Sequence, residues 1–498
     1  MKALLINPFS IVPPSWMPYP PHEPLGLEYL AAIALPYHEV SIFDCRGEFP
    51  WRYEAMPNKM YHVGASLEEI RSVILNWVPE LVGITSPFVT QIPSVYSIVN
   101  LVKEVDKTII TVVGGVTVSC YPEKVLEENE NIDIVVSGEG ELTFRELLDK
   151  RAEGLDTING IIYRNKGKIV RNTPRELIKN LDELPFPRRD VVPFRNYSPY
   201  RGFGRLKGFI ERLKFKDKKC KAILSSLRRH SPRHSMHGSS QVLNPGIHNV
   251  EAKILTSRGC PFNCYYCAVR NVWGNTYRVR SAANVLDEIT FLYEQYDVTH
   301  FGIVDDNFNL SRKRTVAICR GVIEQGLKVS FRADSGVYLP TIDKETLSIM
   351  KKAGFNELYF GIESGNQDVL HNVLNKKVDL RQVEEVAQHC RDLGIVSGGY
   401  FMIGVPGETK ETMEQTVEFA LNSQLDRIRL YICQPFPGSR LYEDWSKKWM
   451  DQDGFEVSKA LIFENRAYIQ TDDFSPEDVM RIAEKVRAAL HRQNRLDM

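Results

Sequence analysis

One short run, Ser257-Arg258-Gly259-Cys260-Pro261-Phe262-Asn263-Cys264-Tyr265-Tyr266-Cys267, constrains this chain more than any other. Its cysteines, Cys260, Cys264 and Cys267, stand at C-x3-C-x2-C spacing. A compact loop so spaced presents three thiolates to one place. A [4Fe–4S] cube has four irons, so three protein thiolates leave one iron open to a small molecule. Two other readings exist: three buried structural cysteines, or a zinc site. Structural zinc takes four protein ligands, commonly as two cysteine pairs, and no second pair occurs in the sequence. The flanks favour the cluster: a strand-like apolar run at 253–256 precedes the loop, and the aromatic Tyr266 stands just ahead of Cys267.

The remaining cysteines (Cys45, Cys120, Cys220, Cys319, Cys390, Cys433) are scattered singly through 498 residues and form no disulfide framework. They read as small buried apolar residues. Lys+Arg and Asp+Glu are equal at 63 each, so overall charge argues for no nucleic-acid partner. The first eight residues are too short an apolar run for a signal peptide, and no run of about 18 apolar residues occurs, which points to a cytoplasmic protein.

Residues 1–150 alternate between short β-branched runs (3–6, 40–43, 81–85, 109–113, 132–136) and helical patterns (25–35, 67–77, 95–105, 123–128, 142–150). Repeated βα units predict an α/β fold with a parallel, doubly wound, Rossmann-like sheet that binds ligands at the carboxyl ends of its strands. Those ends carry Thr85 and Ser86, then Gly114, Gly115 and Val116, then Gly138, Glu139 and Gly140. Residues 160–171 read as a small hairpin, and 184–193 as a proline-rich linker. The strongly basic stretch 201–233, with Glu211 and Asp217 its only acids, reads as a solvated insertion. Its alternative is a basic amphipathic helix making peripheral membrane contact.

From residue 253 the alternation resumes. Strand-like runs at 254–256, 300–304, 329–332, 358–362, 399–403 and 427–433 flank helices at 282–296, 311–324, 343–353, 380–393 and 410–422. Six βα units predict a partial barrel. The turns ending its strands hold Asp305, Glu363 with Ser364, and Gly404. Glu408 reads as an acid in the first turn of the helix that follows. Arg332 and Asp334 read equally as substrate contacts or as a buried ion pair. Residues 476–491 form a last helix, capped by Ser475.

The cysteine loop at the end of the first barrel strand resembles the fingerprint of the radical SAM superfamily, over about 250–440. Gly361-Ile362-Glu363-Ser364-Gly365 and Gly404-Val405-Pro406-Gly407-Glu408 are similar to its S-adenosylmethionine (SAM) motifs. Residues 1–150, with Pro24-Leu25-Gly26-Leu27, Gly114-Gly115 and Gly138-Glu139-Gly140-Glu141, resemble the cobalamin-binding domain that precedes many such barrels. The Asp-x-His-x-x-Gly element is absent, which implies that no histidine ligates cobalt.

The resemblance implies four segments: a cobalamin domain (1–150), a hairpin, linker and basic insertion (151–250), a radical SAM barrel (251–440) and a closing segment (441–498). It implies three cofactors. Cys260, Cys264 and Cys267 would hold a single [4Fe–4S] cluster and be catalytic. Tyr266, Asp305, Glu363, Ser364 and Gly404 would bind SAM. Thr85, Ser86, Gly114, Gly115, Val116, Gly138, Glu139 and Gly140 would bind cobalamin. The implied activity is C-methylation of an unactivated carbon in a small-molecule or lipid substrate, with an electron donor such as flavodoxin or ferredoxin. Cyclisation, rearrangement or carbon–carbon coupling is the alternative on the same machinery. A non-catalytic iron–sulfur or cobalamin sensor is the alternative outside it.

Overall fold

A computed structural model describes residues 1–14, 21–198, 250–445 and 466–496. The basic stretch 201–233 lies outside the described residues.

The N-terminal strands are β1 (Lys2–Asn7), β2 (Ser10–Val12), β3 (Glu39–Asp44), β4 (Tyr53–Ala55), β5 (Tyr61–Val63), β6 (Leu81–Thr85), β7 (Ile110–Gly114) and β8 (Ile134–Val136), followed by the hairpin β9 (Ile161–Asn165) and β10 (Lys168–Arg171). Their main sheet has the order β10-β9-β8-β7-β6-β1-β3. β3, β1, β6, β7 and β8 are parallel, as the alternating pattern predicts. The hairpin adds to this sheet beyond residue 150. β9 pairs antiparallel with β8 (Ile134↔Tyr163, Val136↔Ile161), so the sheet is mixed and the unit reaches Arg171. A short strand such as β8 would otherwise be an unpaired edge. A small antiparallel sheet, β2-β5-β4, lies outside the expected pattern altogether.

Alternation along β1 sends Leu4 and Ile6 to one face and Ala3 and Leu5 to the other. Helices Leu67–Trp77 and Ile92–Val105 cover the first face through Ile70, Ile74, Val95 and Ile98. Leu27, Ala31, Phe144 and Leu147 from helices Leu25–Ala34 and Glu141–Asp149 cover the second. The winding direction switches between β1 and β6. The carboxyl ends of those strands, at Asn7 and Thr85, are therefore where such a sheet opens a crevice.

The second unit runs β11 (Val250–Ile254), β12 (Ser257–Arg258), β13 (Arg278–Val279), β14 (Val298–Ile303), β15 (Ser330–Ala333), β16 (Glu357–Glu363), β17 (Val396–Ile403) and β18 (Arg427–Ile432). β11-β14-β15 and β16-β17-β18 are two parallel triplets, joined by bridges Phe331↔Phe355 and Val337↔Phe360. Together they make the six-stranded partial barrel. The first strand ends at Ile254, short of the expected 256, because Thr256 leaves the ladder to bond Asp305. Helices Ala282–Tyr296, Arg312–Glu324, Lys344–Ala353, Leu380–Asp392 and Lys410–Asn422 cover the outside. Helix Pro476–Arg492 begins with a capping box between Ser475 and Asp478 and packs on helix Lys410–Asn422. Arg495 then donates to the carbonyls of Leu421 and Ser423 at 2.7 and 2.8 Å, which satisfies the end of that helix.

β11 is an edge strand, completed by Glu23 of the first unit and Arg189 of the linker. The Lys253 amide donates to Glu23 Oε2 at 2.6 Å, and its carbonyl accepts from Arg189 Nη2 at 2.6 Å. Arg189 also pairs with Glu23 and with Glu288 of helix Ala282–Tyr296, at 2.7 and 2.9 Å. Among the described residues, no helix is long and apolar enough to cross a membrane.

Candidate active site

The cysteine loop is tied down at both ends. Gly259 has φ +82°, and a Cβ there would sit 2.3 Å from the Thr276 carbonyl. Only glycine fits. The Gly259 amide donates to Asp306 Oδ2 at 3.1 Å. Further along, the Tyr265 amide donates to the Leu374 carbonyl at 3.1 Å, and Asn375 Nδ2 to the Asn263 carbonyl at 3.0 Å. The loop is thus clamped against the turn that follows β16.

Cys260, Cys264 and Cys267 are partly exposed free thiols. Each is pushed above the ordinary thiol range by burial, Cys267 to about 11, and Cys267 also feels the charges of the other two. Among the described residues, no three acids, histidines or cysteines converge tightly enough to hold a single metal ion. Each thiolate of a cube takes a different iron, so its sulfurs stand apart.

Tyr266 brings its hydroxyl between the Cys264 thiol and Lys376. Its hydroxyl accepts from Lys376 Nζ at 3.3 Å, and Lys376 pairs with Glu363 Oε1 at 2.8 Å. Glu363 has φ +75°, a strained value for a residue with a side chain, at a register shift between β16 and β17. The bulge swings the carboxylate onto Lys376. Lys376 was not among the sequence-predicted residues. Its neighbour Lys377 is indistinguishable from it in sequence, and only the fold selects one of them.

Three of the residues expected at the ligands bond protein groups. Asp305 is 1% exposed and lies beneath the loop. It accepts from the Thr256 amide at 2.6 Å, from Thr256 Oγ1 at 2.5 Å and from Ser257 Oγ at 2.6 Å. Its work is to hold the loop's entry. Ser364 is fully buried against Thr416 Oγ1 at 3.0 Å and accepts from the Asn366 amide. It shapes the turn. Glu139 is also buried, and accepts from Arg258 at 2.8 Å, Arg278 at 2.8 Å and the Ile178 amide at 2.7 Å. Its carboxylate fastens the two units together. Glu408 likewise departs from its expected place. The helix starts after Thr409, while Glu408 folds back to accept from the Val405 amide at 2.8 Å. Burial raises its carboxyl to about 7. Gly404 adopts φ +85°, with a Cβ position 3.0 Å from Val479 of the last helix.

Arg332 and Asp334 do form an ion pair, at 2.5 Å, but a solvated one: the Arg332 side chain is 49% exposed.

On the first unit, Gly115 has φ +113° and its Cβ position is 2.9 Å from the Ser86 carbonyl. A glycine there lets the turn close over the end of β6. The side chains of Ser86, Gln91 and Ser94 carry buried oxygens with no protein partner. Such atoms call for a bound polar group. Val116 and Phe88 are 43% and 50% exposed at the same edge, and apolar surface at a crevice is what a corrin rim would cover. Thr85, Gly114 and Gly138 complete this edge, and Gly140 caps the following helix. The residues present therefore fit a corrin. The two edges face each other: the Cβ position of Gly138 is 3.8 Å from the Val272 carbonyl, just past the cysteine loop, and Asn271 Nδ2 reaches Cys120 Sγ of the first unit at 4.0 Å.

Residues 254–420 match the radical SAM superfamily, and residues 18–148 match the B12 binding domain. An uncharacterized methyltransferase of Pyrococcus horikoshii is 30% identical over 422 residues, covering 84% of this chain and 78% of that protein. The cytidylyl-2-hydroxyethylphosphonate methyltransferase of Streptomyces wedmorensis is 28% identical over 467 residues, covering 89% and 81%. Among solved structures, the radical S-adenosylmethionine methyltransferase TsrM of Kitasatospora setae has this fold, with a TM-score of 0.64 at 19% identity over 88% of this chain and 75% of that one.

Proposed function

This chain belongs to the B12-binding branch of the radical SAM superfamily, and on that premise we propose that it transfers a methyl group to an unactivated carbon of a small-molecule substrate. The observation that carries the reading is the meeting of the two edges, Gly138 against Val272, which sets the crevice of the first unit over the cysteine loop of the second. When bound, the cluster with SAM supplies a hydrogen-abstracting radical, and the corrin supplies the methyl group.

The protein's own part is to hold and orient. Cys260, Cys264 and Cys267 hold the cluster. Lys376 offers a fixed ammonium beside the loop, kept in place by Glu363 and Tyr266. A carboxylate brought to the open iron meets a positive charge there. Gly404 holds a left-handed turn, φ +85°, in which a Cβ would press on Val479 of the last helix. Ser86, Gln91 and Ser94 offer unpaired oxygens to the corrin. Phe262 and Tyr338, with ring centroids 4.8 Å apart, shield the loop's flank from water. An external one-electron donor such as flavodoxin or ferredoxin completes the chemistry.

The test is incubation of reconstituted protein with a reductant, methyl-labelled SAM and a metabolite extract from a deletion strain. Label should enter one metabolite, together with deoxyadenosine. Deoxyadenosine without a methylated product would point to cyclisation, rearrangement or coupling and overturn methyl transfer.

A further inference from the structure

The cysteine loop lies against an ion pair whose two members act unequally on its sulfurs. Leu374 and Asn375 are clamped directly onto the loop, through the Tyr265 amide at 3.1 Å and the Asn263 carbonyl at 3.0 Å. The next side chain along the chain is Lys376. Its own amide donates to the Leu370 carbonyl at 2.8 Å, so its backbone has no freedom to swing away. Its ammonium meets Glu363 at 2.8 Å and the Tyr266 hydroxyl at 3.3 Å. The two side chains of the pair are only 15% and 14% exposed. Lys377, one residue on, is exposed.

The fold gives up backbone comfort to build this pair. Glu363 reaches Lys376 from a left-handed backbone, φ +75°, which a residue with a side chain keeps only where its surroundings hold it there. Gly361 leaves room for the ammonium, since a Cβ on it would sit 3.0 Å from Lys376 Nζ. Packing alone would be served as well by two apolar side chains of the same size. The place of the pair beside the sulfurs gives it a use that packing does not. Burial acts first on the Cys264 thiol; of the charges about it, the Lys376 ammonium is the strongest, and the Glu363 carboxylate acts in the opposite sense and more weakly. Lys376 also interacts with Cys267. Asp306, which accepts from the Gly259 amide, stands on the Cys260 side of the loop.

The potential of an iron–sulfur cluster follows the local charge, the hydrogen bonds to its sulfurs and its exposure. Reduction brings one electron to the site from an external one-electron donor and moves no proton, because Lys376 and Tyr266 keep theirs. The added negative charge is attracted by a nearby ammonium and repelled by a carboxylate, most strongly where water is scarce.

We propose that the Lys376–Glu363 pair sets the reduction potential of the cluster held by Cys260, Cys264 and Cys267: Lys376, the stronger charge at the sulfurs, raises it, and Glu363 limits the rise. Both are tuning residues that act through the ligand sulfurs. The inference rests on the reading of the three cysteines as cluster ligands and is indifferent to whether a methyl group is transferred.

The test is a potentiometric titration of the reconstituted full chain, loaded with cobalamin and free of SAM, in which the low-temperature spin-resonance signal of the reduced cluster is followed against potential. Lys376→Met should lower the midpoint by the equivalent of about tenfold or more in the reduction equilibrium, about 59 mV for one electron. Glu363→Gln should move it upward, by about threefold or more in the same equilibrium. Lys376→Arg should keep it near that of the parent, and Lys377→Met, on the exposed neighbour, should leave it unchanged. Opposite signs are what charge demands. Distortion of the loop would move both variants the same way and deplete iron, which analysis of the same samples reports. If Lys376→Met does not fold, the double variant with Glu363→Gln, which strands neither charge, should still lie below the parent. Unmoved midpoints, shifts of one sign in Lys376→Met and Glu363→Gln, or an equal shift in Lys377→Met would overturn the inference. Methyl transfer by the parent beside any of those results would sink this inference alone. Opposed shifts with no methyl transfer would sink the proposed function alone.

Discussion

Arg258 Nη1 donates to Glu139 Oε1 at 2.8 Å, joining the residue two places ahead of the first cysteine to the third Gly-rich turn of the other unit. The guanidinium is 2% exposed and also meets Glu141 at 2.5 Å. Trp273 and Tyr29 lie over it at 4.9 and 5.5 Å. A buried arginine satisfied on every side is a rigid joint. It fixes the distance between the cysteine loop and the crevice that faces it.

Removing this joint takes the cation from buried Glu141 and leaves buried Glu139 with Arg278 alone. Arg258→Ala should lower stability by about 3–5 kcal/mol, the usual cost of breaking a buried pair. Scanning calorimetry should show a lower and broader transition as the two units come apart. An unchanged melting curve would mean that the contact is not structural.

Replacing any of Cys260, Cys264 or Cys267 by Ala should abolish the bound iron, the visible absorbance of the cluster and deoxyadenosine formation, yet leave cobalamin bound. Iron analysis and corrin absorbance on the same sample separate the two. Joint loss of both groups would mean that the two units do not bind their cofactors independently.

Gly115→Ala forces a side chain into a left-handed backbone 2.9 Å from the Ser86 carbonyl. Strain of this kind costs about 1–3 kcal/mol. The turn should open, and titration with aquacobalamin should show affinity reduced about tenfold or more. The iron content should stay at its normal level.

Lys376→Met strands Glu363 without its cation, and should cost about 3–5 kcal/mol in urea unfolding. Adding Glu363→Gln removes the stranded charge. The double variant should recover much of the loss, a non-additivity expected of direct partners. Purely additive effects would contradict the 2.8 Å pairing.

Glu408 gives a pH signature. Burial raises its carboxyl from an ordinary 4.5 to about 7, and one of its oxygens has no partner. A raised folded value means that its favourable contribution is complete below about 4.5 and is lost as pH rises through about 7. Glu408→Gln stays neutral throughout. Its stability relative to the parent should therefore climb between pH 5 and 8, reaching about 3 kcal/mol. Equal shifts at both pH values would rule out this titration.

Much of the fold is legible in residue order because it is local. Helices expected at 67–77, 282–296 and 410–422 are the observed Leu67–Trp77, Ala282–Tyr296 and Lys410–Asn422, since an apolar stripe and its caps are decided within a few turns. The cysteine spacing and the glycine turns are equally local. The hairpin β9–β10 was visible as a hairpin, but its pairing with β8 was not, because β8 offers its edge only after the parallel strands have stacked.

Residue order alone supplies the chemical parts: three thiols on one loop, glycine turns at strand ends, and two successive series of βα units. Only the tertiary structure decided what the charged parts do. Glu139 sits in a Gly-rich turn yet answers Arg258, which lies 119 positions away. Asp305 sits at a strand end yet bonds Thr256 and Ser257. Lys376, one of two adjacent lysines, is placed beside Tyr266, 110 positions earlier. Backbone preference is set by near neighbours, whereas a buried charge must find its partner wherever the fold brings one.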